Sequence, residues 1–270
     1  MDKTLLNKIK AGKIVYGTCI TSTSPIWPVI ALRAGLDFVF LDTEHIPLER
    51  MEIARMCQTF RAMGVAPIVR IPSPDPYRAC QMMDAGAEGI VAPYLERVDH
   101  IKELVGALKY RPLKGELLEK VLENQDGIEP DLRQYLDNWN LGNVCIANIE
   151  SVPAFERLEE LLSVKGLDAV FIGPHDLSIS LGLPEQYDHP VFEEAVKRII
   201  MISRQNRLAV GIHFSESPER QIRWMKEGVN LVIHSSDMAM FSQRLQSDMN
   251  AIKMAAGDER KRVNSSDDII

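Results

Sequence analysis

Short apolar runs alternate with longer stretches of helical spacing along most of the chain. The runs fall at 14–20, 38–41, 66–71, 89–93, 144–149, 169–172, 209–212 and 231–234. Each is continuous rather than alternating, the mark of a parallel strand covered on both faces. Helix signals stand between them: Ser24 ahead of PIWPVIALRAG, Pro47 opening PLERMEIARMCQTFRAMG, Asp75 ahead of PYRACQMMDAG, and SVPAFERLEELLSVKG closing at Lys165 and Gly166. Eight repeats of strand and helix predict an α/β fold, a closed (β/α)8 TIM barrel, as one domain over 1–257. A doubly wound open sheet is the competitor, but TCITSTSP follows the first run where a G-x-G-x-x-G would be expected. The interval between the fourth and fifth runs is too long for a plain crossover and predicts extra helix over one end of the barrel. Periodicity ends at GDERKRVNSSDDII, which predicts a disordered tail over 258–270.

In such a barrel chemistry sits where the strands end, so the residues delivered there are the candidates. The second run delivers Asp42, Glu44 and His45, and the third Arg70; the fifth delivers Asn148 and Glu150, and the sixth His175 and Asp176 after Gly173 and Pro174. Glu150 and Asp176 come from neighbouring strands and suit a hard divalent cation, with Mg²⁺ first and Mn²⁺ or Co²⁺ as alternatives; each acid could instead cap a helix. Arg70 could clamp a carboxylate or steady an enolate oxygen, or simply pair with Asp42 or Glu44. An imidazole among acids suits His45 to general-base work, against an ordinary structural histidine. No lysine lies in or at the tip of a strand run, so a Schiff base has no candidate amine. His213 and His234, with Asp237 beyond, suggest a hydrolytic metal barrel, but that site lacks an H-x-H at the first strand.

Composition narrows the partners. The net charge of -7 argues against nucleic acid, and no stretch approaches the length of an apolar membrane span. The opening MDKTLLNKIKAGK lacks a signal core, and Cys19, Cys57, Cys80 and Cys145 have no zinc or disulfide spacing, so a cytoplasmic setting is expected.

The series EHIPLER, PIVRIP, MMDAGAEGIVAP, NIES and FIGPHDLSISLG resembles the HpcH/HpaI class II aldolases, from about residue 5 to residue 255. The resemblance implies metal-dependent cleavage of a 4-hydroxy-2-oxo acid, of the 4-hydroxy-2-oxoheptanedioate or 2-keto-3-deoxy sugar-acid type, to pyruvate and an aldehyde. It implies Glu150 and Asp176 as metal ligands, His45 as base, Arg70 as stabiliser and Asp84 as the acid that partners His45. Asn148 and Gly173 to Asp176 then contact the substrate. It also implies a homo-oligomer, a hexamer of dimers that exchange the last helix, here residues 236–256. Three departures stand out: Asn148 for the usual Gln, His175 for Ala or Ser, and few glycines in RPLKGELLEKVLEN. Oxaloacetate decarboxylation and a non-catalytic 2-oxo-acid-binding barrel are the alternatives.

Overall fold

The structure, a computed structural model, describes residues 4–124, 127–215 and 217–258. Of the expected tail only Asp258 falls among them. Eight strands close into a barrel in chain order, each parallel to both neighbours. They are β1 (Val15–Cys19), β2 (Phe38–Asp42), β3 (Ala66–Arg70), β4 (Gly89–Ala92), β5 (Val144–Ile149), β6 (Ala169–Ile172), β7 (Ala209–Phe214) and β8 (Leu231–Ser236). The helices before β5 are α1 (Leu5–Lys10), α2 (Trp27–Arg33), α3 (Arg50–Ala62), α4 (Pro76–Ala85), α5 (Val98–Lys109), α6 (Gly115–Glu123) and α7 (Pro130–Trp139). Those after it are α8 (Val152–Glu156), α9 (Leu158–Leu162), α10 (Pro174–Ser180), α11 (Pro190–Gln205), α12 (Pro218–Glu227) and α13 (Asp237–Ala255). Among the described residues no helix is long and apolar enough to cross a membrane.

Alternate strand residues build two cores, because successive side chains point to opposite faces. Val39, Leu41, Val170, Ile172, Val210 and Ile212 pack outward against the helices. Phe38, Phe40, Ile68, Ile146, Phe171 and Leu231 fill the barrel, joined by Leu5, Leu6 and Ile9 of α1. That helix therefore lies against the filled interior. Gly17 leaves room for one of the rings, since a Cβ there would stand 2.5 Å from Phe38.

Several boundaries differ from the sequence expectation. Asp75 caps α4 as expected, accepting from the Tyr77 N–H at 2.8 Å. Ser24 does not cap α2: its carbonyl closes a preceding turn on Trp27, and the N-cap is Ile26. Pro47 precedes rather than opens α3, because a reciprocal capping box between Glu49 and Glu52 fixes the start there. SVPAFERLEELLSVKG divides into α8 and α9 at Arg157. The long interval before β5 carries two helices, α6 and α7, and α6 packs on α5: a Cβ on Gly106 of α5 would meet Leu122 at 3.2 Å and Leu118 at 3.4 Å of α6.

Candidate active site

Asp42 and Arg70 are register partners at the tips of β2 and β3. Arg70 donates from Nε to Asp42 Oδ1 at 2.9 Å and from Nη2 to Oδ2 at 2.5 Å, a bidentate pair, and Nε lies 3.2 Å from Glu44 Oε2. Burial alone would raise the Asp42 carboxyl, but the Arg70 hydrogen bonds and charge outweigh it and hold the group below the usual range. The same pair outweighs the burial of Arg70 and holds its guanidinium charged. Arg70 also lies over the Phe40 ring, 5.6 Å from its centroid. Both sequence readings of Arg70 therefore coexist: it is paired, and it stands at the mouth of the barrel.

Glu150 sits just past β5 and is 6% exposed. Its Oε1 accepts from the Tyr94 N–H at 2.8 Å, and its Oε2 from Asn148 Nδ2. Burial, with the charges of Asp176 and Glu44 adding to it against the Tyr94 hydrogen bond, pushes its carboxyl up to about 7. Burial disfavours the charged form, and the neighbouring acids add to it. Asn148 is fully buried and its Oδ1 has no hydrogen-bond partner. Gly173 permits the close approach of the next strand tip, since a Cβ there would lie 2.9 Å from that of Glu150. Pro174 then starts α10, which carries His175 and an exposed Asp176. Asp176 acts on Glu150 through its charge.

The donor set fits a magnesium-like ion. Such ions keep several waters and take one or two carboxylates plus substrate oxygens, rather than a full protein cage. No group of three or more metal-binding side chains occurs among the described residues. Asp237 is occupied otherwise: its oxygens accept from Thr21 N and Oγ1, Ser22 N and Met238 N, bracing the loop after β1.

The remaining candidates are placed less uniformly. The His45 side chain is 51% exposed, with Nε2 3.9 Å from Glu44 Oε2. His175 Nδ1 lies 3.8 Å from Glu185 Oε1, and both side chains are more than half exposed. Asp84 does not join the rim. It lies one residue before the end of α4, which leads down to the start of β4, and it pairs with Arg111 while 71% exposed.

Sequence reading missed Tyr94, whose main chain holds Glu150 at a strained φ of 55°. Its one signal was position, directly after the fourth strand tip in VAPY. His213 was singled out, but for a different chemistry. Its Nε2 lies 3.1 Å from the Ser235 carbonyl, and its ring is 6.3 Å from Phe40, which in turn stacks on Phe171 at 5.5 Å.

With this rim assembled, comparison with known proteins decides the family. The model for HpcH/HpaI aldolase/citrate lyase matches residues 16–243. The chain belongs to this family. An HpcH/HpaI aldolase from Desulfitobacterium hafniense is similar in structure, with a TM-score of 0.81 and 27% identity, over 97% of this chain and 99% of the other. The chain is 28% identical to the 2-dehydro-3,6-dideoxy-6-sulfogluconate aldolase of Pseudomonas putida, over 91% of this chain and 95% of that one. It is 26% identical to a 2-keto-3-deoxy-L-rhamnonate aldolase of Escherichia coli, over 96% of each. As an HpcH/HpaI protein it is a carbon-carbon lyase.

Proposed function

We propose that the protein is a divalent-metal-dependent aldolase that cleaves a 4-hydroxy-2-oxo acid, of the 2-keto-3-deoxy sugar-acid type, to pyruvate and an aldehyde. The observation that carries this is the buried Glu150 carboxylate at the tip of β5, held by the Tyr94 N–H and Asn148 Nδ2, with the Arg70 guanidinium on the same rim. The relatives from Pseudomonas putida and Escherichia coli support the substrate type.

Glu150 and Asp176 would hold the cation, and Mg²⁺ fits their oxygens best, with Mn²⁺ or Co²⁺ able to replace it. Bound there, it supplies Lewis-acid polarisation of the keto oxygen. The chain does the rest. Gly173 lets the substrate carboxylate approach the main chain of His175 and Asp176, and Asn148 lies beneath with Oδ1 free. His45 takes the proton from the C4 hydroxyl. As the C3 to C4 bond breaks, its electrons move to the C2 oxygen, and Arg70 stabilises that charge more than it stabilises the bound ground state. Protonation at C3 then yields pyruvate.

The partnership of Asp84 with His45 that the family resemblance implies would have to join two copies, since α4 carries Asp84 to the other end of its own barrel. The last helix supports a homo-oligomer. Met238, Phe241, Leu245, Met249 and Ile252 form one exposed apolar stripe along α13, whose only buried residue is Asp237. Tyr16 on the outer face of β1 is likewise 44% exposed. A partner's helix laid over such a face would give the dimer from which the hexamer is built. The four free cysteines suit a reducing, cytoplasmic setting.

The test is a screen of aldehydes with pyruvate and Mg²⁺, Mn²⁺ or Co²⁺, read by product mass. An aldol product dependent on metal is expected. Borohydride trapping of a pyruvyl-lysine adduct would overturn the mechanism.

A further inference from the structure

The turn D-T-E-H at the end of β2 is tied to the tip of β3 through both main chain and side chains. Thr43 donates to the Arg70 carbonyl from its N–H at 3.1 Å and from Oγ1 at 2.6 Å, while the Arg70 side chain grips Asp42. Asp42 Oδ1 also accepts the Glu44 N–H at 3.0 Å, an Asx turn that sets Glu44 beside the guanidinium. The Glu44 side chain is thereby buried, at 8% exposure, whereas that of His45 is 51% exposed.

One oxygen of this carboxylate stands between two groups of the aldolase mechanism. Glu44 Oε2 lies 3.2 Å from Arg70 Nε and 3.9 Å from His45 Nε2, and it has no hydrogen-bond partner. The Arg70 fork is taken up by Asp42, so Arg70 meets Glu44 as a charge without a hydrogen bond. A buried carboxylate oxygen in that state lacks a donor. Its charge also reaches Glu150, where it adds to burial in pushing that carboxyl up, so Glu44 looks into the same mouth.

We propose that Glu44 is a positioning residue for the aldol step, the acceptor that receives His45 once Nε2 has taken the substrate proton. The inference rests on the aldolase reading above, in which His45 is the base. At rest Nε2 carries the lone pair, and two facing acceptors stand apart at 3.9 Å, beyond a hydrogen bond. As the C4 O–H bond breaks, its proton joins Nε2, its electrons form the aldehyde carbonyl, and the C3 to C4 pair moves to the C2 oxygen. Nε2 is then a charged donor, and Glu44 Oε2 is the unpaired acceptor that faces it. Such contacts are long in a resting enzyme and tighten in the reacting complex. The interaction strengthens in the transition state and not in the bound ground state, so it raises kcat without lowering KM. The proton on Nε2 is also the one that C3 must receive, so the cycle closes with no co-reactant. Nδ1 stays open to a carboxylate from another copy, and the two partners of His45 do not compete.

The experiment compares Glu44→Gln and Glu44→Asp with the wild type in two reactions run with Mg²⁺, cleavage of a 4-hydroxy-2-oxo acid and decarboxylation of oxaloacetate. Both pass through the enolate that Arg70 stabilises, but carbon dioxide leaves without removal of a hydroxyl proton, so only cleavage needs the base. In Glu44→Gln, which keeps the shape and loses the charge, kcat for cleavage should fall by at least about tenfold, with KM within about twofold of wild type. Decarboxylation by the same variant should stay within about threefold of wild type. Glu44→Asp keeps the charge on a shorter arm and should recover part of the cleavage rate. Cleavage by Glu44→Gln within about twofold of wild type overturns the proposal, as does Glu44→Asp no faster than Glu44→Gln. An equal loss in both reactions also overturns it, since Glu44 would then act by placing Arg70 alone. A wild type that cleaves no 4-hydroxy-2-oxo acid would instead remove the aldolase reading, a separate outcome.

Discussion

Asp42 and Arg70, 28 residues apart, meet side by side on adjacent strand tips and close a bidentate ion pair with both side chains at most 10% exposed. The pair fixes the plane of the guanidinium before substrate arrives. Arg70→Lys keeps a charge but loses the fork, so kcat should fall by at least about a hundredfold while the fold persists. Asp42→Ala leaves a buried guanidinium with only Glu44 beside it, and should cost about 3 kcal/mol of unfolding free energy in denaturant titrations. Activity of Arg70→Lys within twofold of wild type would leave the arginine a purely structural role.

In the proposed reading, Glu150 and Asp176 would hold the divalent ion. Glu150→Gln and Asp176→Asn should each weaken Mn²⁺ binding by about tenfold or more, measured directly by titration of the free ion. The Gln variant should also unfold less readily without metal, because it removes an uncompensated buried carboxylate. Chelation of the wild type should abolish aldol cleavage, and added Mg²⁺ should restore it. Unchanged Mn²⁺ affinity in both variants would move the metal elsewhere.

The barrel was legible because its strands are buried on both faces, which leaves continuous apolar runs such as 169–172 and 144–149 that no surface element would carry. The rim was legible for the same reason: an acid at the tip of a buried strand, such as Glu150, has no packing excuse. What failed was whatever depends on the third dimension. Asp84 lies near the end of α4, at the opposite end of the barrel from the rim, and a single chain does not show whether it serves the site of another copy. Tyr94 contributes a main-chain N–H, to which sequence is blind. Ser24 and Pro47 are good start signals displaced by a local turn and by the Glu49 and Glu52 capping box.

His213 links the site to stability. Its folded pKa is pushed down to about 4 from 6.5, chiefly by burial. Between those values the unfolded chain binds the extra proton and the folded chain does not, so stability rises with pH across the window. The contribution is complete above about pH 6.5 and is lost as pH falls toward 4. The full shift corresponds to about 3 kcal/mol, and the partial exposure of His213 reduces it to on the order of 1 to 2. In His213→Leu, urea midpoints between pH 4 and 6.5 should show a shallower slope than in the wild type. Parallel slopes would mean that the ring is solvated in the folded state.

Asp84 and His45 lie at opposite ends of one barrel, so any partnership between them has to join two chains. That makes a complementation experiment decisive. His45→Ala and Asp84→Ala should each be nearly inactive alone, since one lacks the base and the other lacks the carboxylate offered to its neighbour. Co-expressed, they form mixed assemblies in which random pairing makes about one site in four intact, with His45 from one copy and Asp84 from the other. Activity should return to roughly that fraction of wild type. The recovery must also depend on assembly: Phe241→Glu with Leu245→Glu places charge on the exposed stripe of α13 and should convert the oligomer to monomers in sedimentation. Those monomers should keep their barrel by circular dichroism and should not complement. If mixing restores nothing although mass measurement shows mixed oligomers, Asp84 acts only through its pair with Arg111, and His45 works without a carboxylate from another copy.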